Sequence, residues 1–311
     1  MCTSIAMKNV DFYFGRNMDI DYDFGQRVVI TPRNYVFRFK KAGTLERHFA
    51  MVGMAAVADG YPLYAEAANE KGLCMAGLNF PENAYYKKVC ENGKANISPF
   101  ELIPWVLGKC KSIAEAKELL SKTCLVKIAF NEKLPLAPLH WHIADKTGSV
   151  VLEATKDGMA VYENTVGVMA NNPTFDFHLK NLLHYTNLSN ITPDSATETK
   201  HPFGMGLGAY GLPGDFSSTS RFAKAAFILR YRSDGGDEKE RVAQFFRVLD
   251  SVAVPKGCVL TTNGNEHYTT YNCCINADNG VYYYKTCFDF TVKEVRLYVE
   301  DLEGKGLTER R

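Results

Sequence analysis

The order in which the hydrophobic period changes along this chain is its strongest constraint on fold. Runs with strand character fill residues 3–14, 27–40, 49–58, 62–66 and 73–80. Apolar positions there alternate with polar ones or cluster as β-branched and aromatic residues. Two segments of helical period follow, 99–109 and 113–121. Ser98 before Pro99 starts the first, and Ser112 with Glu115 forms a capping box on the second. Strand character returns at 139–145, 149–154, 159–163 and 165–170. Helical period reappears at 173–186, opened by Pro173, then at 218–232 and 237–252, and the chain closes on strands at 257–263, 266–276, 280–287 and 293–299. Helices grouped between strand blocks predict an α+β chain with two antiparallel sheets and helices outside them. No GxGxxG or GxxxxGK[ST] follows a strand, which argues against a nucleotide-binding fold.

Three stretches read as loops. Residues 81–98 are polar and irregular. Residues 125–139 carry two prolines, with Phe130 and Leu134 facing out, as a loop covering a pocket would. Residues 187–217 are rich in Gly, Pro, Ser, Thr and Asn, and a connection that long points to function or disorder.

Composition narrows the class. With 311 residues the chain admits one large domain or two ordinary ones, and 46% hydrophobic with 23% charged residues is globular composition. A net charge of +1 without a basic block points away from nucleic acid. The start has no secretory pattern and no run nears the ~18 apolar residues of a membrane span, so a cytoplasmic protein without a membrane partner is expected. Nine cysteines without a CxxC pair read as free thiols, mostly buried. His140 and His142 share a strand face, which suits a metal, but spacing marks no third ligand and strand packing accounts for them. Cys273 and Cys274 point to opposite faces and fill core.

The second residue carries the chemistry. Met1 precedes a small side chain and is expected to be removed, leaving Cys2 with a thiol and a free α-amine. An α-amine of pKa about 7.7–8.0 is a usable base beside the most nucleophilic side chain available. A hairpin turning at Lys8-Asn9 would end its second strand at Gly15 and bring the tight segment Arg16-Asn17-Met18-Asp19 back beside Cys2. Asn79 and Asn171 each end a strand-like run and can donate to an oxyanion; adjacency leaves Asn172 competing with Asn171. Arg221 falls in the first turn of a helix, where a cation opposes the macrodipole, so it needs a partner elsewhere.

These pieces together, MCTSI at the start, FGRNMD at 14–19, NEKGL at 69–73, AGLNFP at 76–81, NNPTFDFH at 171–178 and GLPGDFSSTSRF at 211–222, resemble the choloylglycine hydrolase family, which comprises conjugated bile salt hydrolases and penicillin V acylases. The resemblance implies an N-terminal nucleophile hydrolase fold, a four-layer αββα sandwich in one domain over 2–311, with no cofactor and no metal. It implies amide hydrolysis by Cys2 through a thioester. Arg16 would stabilise the thiolate, Asp19 would orient the amine, and Arg221 would complete the charge network. Asn79 would hold the oxyanion through its backbone N–H and Asn171 through its side chain, Asn171 being preferred because the family pattern places one residue between this Asn and the Pro. Met18, Tyr64, Ala65, Phe130 and Leu134 are candidates for an apolar substrate wall. The NFP and NNPTFDFH segments look more like bile salt hydrolases than acylases, so a conjugated bile salt is the expected substrate. Penicillin V, another N-acyl amide such as an acyl homoserine lactone, and a non-catalytic binding role are the alternatives. The family often forms tetramers, so a homotetramer is expected.

Overall fold

The computed structural model of the chain describes residues 1–192 and 205–310, so residues 193–204 of the long Gly- and Pro-rich connection lie outside the described part. Two large antiparallel sheets dominate it. The six-stranded sheet runs Val168–Met169, Cys2–Lys8, Phe12–Ile20, Tyr268–Asn276, Val281–Thr286, Lys293–Arg296. The eight-stranded sheet runs Gly158–Glu163, Gly148–Thr155, Leu139–Asp145, Cys74–Asn79, Tyr61–Asn69, Met51–Ala58, Arg27–Thr31, Thr308–Arg310. The inner faces pack on one another through Phe14, Val52, Ala76 and Leu78. The helices Ser218–Tyr231 and Glu238–Asp250 cover the outer face of the first sheet, adding Phe222 and Phe245 to that core. The helices Leu102–Lys109 and Ile113–Ser121 cover the second sheet over a separate core of Trp105, Leu107, Trp141 and Ile143. The four layers are helix, sheet, sheet, helix, as the sequence implies.

Local rules account for most boundaries. Ser112 accepts from the Glu115 backbone N–H at the start of its helix, and Ser98 with Glu101 forms a full capping box on the turn before Leu102. The expected 27–40 strand is broken, because Pro32 cannot donate to a ladder. The chain turns there and a short Phe37–Phe39 strand pairs with Gly43–Leu45. The helix expected from 173 starts at Phe175, with Thr174 at the cap position, and tightens to a 3₁₀ turn at Leu182–Tyr185. Residues 257–263 form turns with one isolated Leu260–Glu266 bridge, since the chain doubles back at Gly264 with φ +83. Residues 165–170 contribute only Val168–Met169, and 293–299 yields a strand to Arg296 and then a 3₁₀ turn. Two short strands arise from apparent loop: Ala95–Ile97, parallel to Thr123–Leu125, and Thr308–Arg310, on the edge of the second sheet.

One correction bears on the site. Gly15 does not end the second strand; the strand continues to Ile20, and Arg16 to Asp19 lie within it rather than in a tight segment. A Cβ on Gly15 would sit 2.0 Å from the Cys273 carbonyl oxygen, so glycine is there to let the Phe12–Ile20 and Tyr268–Asn276 strands approach. The uninterrupted register places Cys2 opposite Met18 and Ser4 opposite Arg16. On the other side of the strand the register shifts by one residue between Thr269 and Tyr271, a bulge beside Met18 and Asp19.

Candidate active site

Cys2 heads the first strand and is buried, 3% exposed, with Met1 attached. Met1 extends the ladder: its amine donates to the Asp19 carbonyl at 3.0 Å, and the Asp19 N–H donates to the Met1 carbonyl at 3.2 Å. The amine also meets His267 Nε2. Burial lowers the pKa of this amine; Arg221 and Arg16 push the same way, against the charges of Cys2 and Asp19.

Arg16 and Arg221 approach Cys2 from two sides, and both are 1% exposed. The Arg16 guanidinium donates to Cys2 Sγ and, at 2.5 Å, to the Gly77 carbonyl of the facing sheet. It also approaches Glu66, 3.8 Å away. Burial alone would lower the Arg16 pKa, but Cys2, Tyr271 and Glu66 hold it above its ordinary value. Arg221 lies in the first turn of its helix, as the sequence implies, and its guanidinium reaches away from that end into the site. It donates to the Cys2 carbonyl at 2.6 Å, Thr3 Oγ1 at 2.5 Å and Asn171 Oδ1 at 2.9 Å. Burial lowers its pKa, while Asp19 and Cys2 oppose the shift.

Asn171 joins the sheets. It follows the Val168–Met169 strand, its N–H donates to Ser218 Oγ at 2.8 Å, and its carbonyl accepts from His178 Nε2 at 2.8 Å. Its Oδ1 accepts from the Cys2 backbone nitrogen at 2.5 Å as well as from Arg221. That pair of donors fixes the amide so that Nδ2 is the free donor end, and Nδ2 reaches the Asn79 carbonyl at 2.7 Å. Asn172 points away, donating to the Pro81 carbonyl. Asn79 stands at the end of its strand with an exposed side chain, so only its backbone meets Asn171.

Asp19 sits differently from the expectation. With Met1 attached the Cys2 nitrogen is a peptide amide with one proton, and that proton goes to Asn171. Asp19 Oδ1 accepts from Thr269 Oγ1 at 2.6 Å, while the buried Oδ2 has no hydrogen-bond partner among the described residues and lies 3.8 Å from Arg221. Thus Cys2, Arg16, Asp19, Asn79, Asn171 and Arg221 form one connected cluster drawn from both sheets and a helix.

The expected substrate wall divides. Met18 pairs with Cys2 across the hairpin, and the Ala65 carbonyl lies 3.4 Å from Arg16, so both are at the site. A bulge at Ala65, where Met54 opposes Glu66 and Ala55 opposes Tyr64, turns Tyr64 to the opposite sheet face; its hydroxyl bonds Thr31 and Val29 within the outer core. Phe130 packs edge-on against Phe100 and near Tyr61, and Leu134 is exposed on the same loop, so the loop is anchored on the outer core. A cavity of about 560 Å³ lies at the other end of the first strand, lined by Lys8, Phe227 and Tyr231, away from Cys2.

His142 has a partner on each ring nitrogen, while the buried Nε2 of His140 has none among the described residues. His140 Nδ1 meets Glu153 at 3.1 Å and its ring stacks on Phe80. His142 donates from Nδ1 to Ser4 Oγ at 2.8 Å and accepts from Asn164. No group of three or more His, Cys, Asp or Glu side chains that could hold a metal occurs among the described residues. Sequence reasoning missed the supports: Thr3, Ser218, Thr269, His178 and His267 carry no spacing signal, being ordinary polar residues at strand, helix and loop positions. Glu66 did carry one, a lone acid inside the apolar run PLYAEAA.

The two-sheet, four-layer architecture is the N-terminal nucleophile hydrolase fold. The structure superposes on a mutant of the conjugated bile acid hydrolase from Clostridium perfringens with a TM-score of 0.93 at 36% identity, covering 100% of this chain and 97% of that one. It shares the fold of the penicillin V acylase from Agrobacterium tumefaciens, TM-score 0.80 at 20% identity, covering 99% and 90%. The profile described as linear amide C–N hydrolases, choloylglycine hydrolase family, matches residues 2–309, and this chain belongs to that family. It is similar to the bile salt hydrolase/transferase of Lactiplantibacillus plantarum, 46% identical over 99% of this chain and 95% of that protein. The conjugated bile acid hydrolase of Lactobacillus gasseri is 39% identical over 99% of each. The chain is an amidohydrolase acting on linear amides. No helix among the described residues is long and apolar enough to cross a membrane.

Proposed function

We propose that this chain hydrolyses the amide bond of glycine- or taurine-conjugated bile salts, with Cys2 as nucleophile once Met1 is lost. The unpartnered Oδ2 of the buried Asp19 carries the reading. A buried carboxylate oxygen left without a donor is costly, and an ammonium formed at the Cys2 nitrogen would supply one. Loss of Met1 removes the residue that pairs with Asp19 and converts the Cys2 nitrogen from an amide to an amine. Two buried arginines beside it, Arg16 and Arg221, favour its free-base form, as they do for the Met1 amine.

The amine then takes the thiol proton, and Arg16 stabilises the thiolate it already touches. The thiolate adds to the amide carbonyl. Asn171 Nδ2 and the Asn79 backbone N–H hold the oxyanion, and Arg221 fixes Asn171 by its Oδ1. The protonated amine passes its proton to the leaving glycine or taurine nitrogen, giving a thioester on Cys2, and water releases the bile acid. Met18 and Ala65 form part of the apolar wall. The substrate follows from relatives named for bile salts that match nearly the whole chain. Family resemblance supports a single 2–311 domain working as a homotetramer.

Relatives named hydrolase/transferase favour a second outcome for the same intermediate. An amine in place of water would leave with the acyl group as a new amide. The test is amine release from glycocholate, taurocholate and penicillin V, with mass spectrometry of products formed when free amino acids are added. Glycine or taurine release that Cys2→Ala abolishes supports the proposal; faster turnover of penicillin V, or none of the three, contradicts it.

A further inference from the structure

We infer that Glu66 is a positioning residue for the reaction, setting how much of the Arg16 charge reaches the Cys2 thiolate. This rests on the reading of Cys2 as nucleophile. Glu66 lies on the Tyr61–Asn69 strand of the eight-stranded sheet and is fully buried. It faces across the sandwich into the six-stranded sheet. Tyr282 Oη donates to its Oε1 at 2.6 Å, and Tyr271 Oη donates to its Oε2 at 2.9 Å. Arg16 Nε lies 3.8 Å from the same Oε2, while the other end of that guanidinium contacts Cys2 Sγ. One cation therefore stands between two acidic groups, a carboxyl on one side and a thiol on the other.

Two phenol donors and a guanidinium around one carboxyl are a set that only a carboxylate can accept fully. Burial holds its pKa above the ordinary carboxylate value, and Arg16, Tyr282, Tyr271 and Cys273 offset part of that rise. In so dry a cluster one guanidinium balances one anion well and two poorly. Cys2 and Glu66 thus compete for Arg16. The other charged or titratable groups around Cys2 are its own α-amine, His267, which meets the N-terminal amine, and Arg221 from the Ser218–Tyr231 helix with Asp19 from the hairpin, which lie 3.8 Å apart. When Cys2 becomes a neutral thioester, Arg16 is left to Glu66 alone, so the pair holds its geometry through the acyl-enzyme stage.

The direction of the effect separates this role from simple support. Glu66→Gln keeps the shape and an acceptor for a tyrosine but removes the competing charge. The rate of Cys2 alkylation by iodoacetamide is followed against pH by peptide mapping, which distinguishes Cys2 from the exposed Cys90 and Cys258. The midpoint is expected to fall by about one pH unit in Glu66→Gln. Tyr282→Phe, which removes one donor from the carboxylate and weakens it as an anion, should move it the same way by less. Loss of packing alone would let Arg16 drift from the sulfur and move the midpoint up. An unchanged or raised midpoint in both variants overturns the proposal. That failure differs from failure of the nucleophile reading, in which wild-type protein alkylated at Cys2 would still hydrolyse substrate.

Discussion

At the residue scale, Arg221 shows how a locally unfavourable placement becomes informative. A cation in the first turn of a helix opposes the macrodipole. Here four acceptors, the Cys2 and Phe216 carbonyls, Thr3 Oγ1 and Asn171 Oδ1, hold it in place. The same contacts bring Asn171 to Cys2 and Arg221, while Asn172 meets the Pro81 carbonyl. Asn171→Ala should lower kcat by roughly 10²–10³ with little change in KM, because it removes one oxyanion donor. Asn172→Ala, which loses only a bond to the Pro81 carbonyl, should keep kcat within about threefold of wild type, a loss under about 1 kcal/mol. Steady-state kinetics on one conjugated bile salt measures both, and equal losses would contradict the assignment. Each residue of the cluster was legible as part of a motif. Asp19 Oδ2 standing without a partner was not, because that is a property of packing in three dimensions.

At the element scale, the N-terminal hairpin does the organising. Its register sets Cys2 opposite Met18 and leaves Arg16 and Asp19 on the strand that faces the Tyr268–Asn276 bulge. Gly15→Ala would place a Cβ 2.0 Å from the Cys273 carbonyl and push apart the strands that carry Arg16 and Thr269. The expected cost is about 3 kcal/mol, at the upper end of overpacking, read as a lower midpoint in denaturant, together with a fall in kcat/KM. Wild-type stability and activity would show that the strands part freely. The sequence located nearly every helix within two residues, since capping and 3.6-residue period are local signals. Strand limits at Gly15 and Pro32 were harder. The same glycine can stop a strand or admit a neighbour, and only the partner strand decides. Tyr64 and Ala65 were read together as wall, yet a bulge at Ala65 sends Tyr64 to the outer core and leaves Ala65 at the site, and a bulge is set by the partner strand.

At the scale of the whole molecule, the fold buries titratable groups, His142 between the two sheets and His178 on the Phe175–Asn181 helix against Phe222, and that sets an acid limit. Burial, with the nearby His140, pushes the His142 pKa down to about 3, and burial pushes His178 to about 4. Both fall below the ordinary value near 6.5, so the unfolded chain binds more protons than the fold as pH drops through that window. Stability is therefore full above about pH 6.5 and is lost on acidification toward pH 4, at up to about 1.4 kcal/mol per pH unit for each histidine. Thermal unfolding between pH 7 and 4 should show this fall, and a His178→Gln variant should show a shallower one. A flat profile in wild type would count against buried neutral histidines.

The central claim is that Cys2, at a free N-terminus, carries the acyl group. The most direct measurement is rapid acid quench during turnover of taurocholate, followed by mass spectrometry of the N-terminal peptide. The account predicts a peptide that begins at Cys2 and bears a cholyl group in thioester linkage, which hydroxylamine removes and Cys2→Ala lacks. Turnover by protein whose N-terminal peptide still begins at Met1 and carries no acyl group would contradict it.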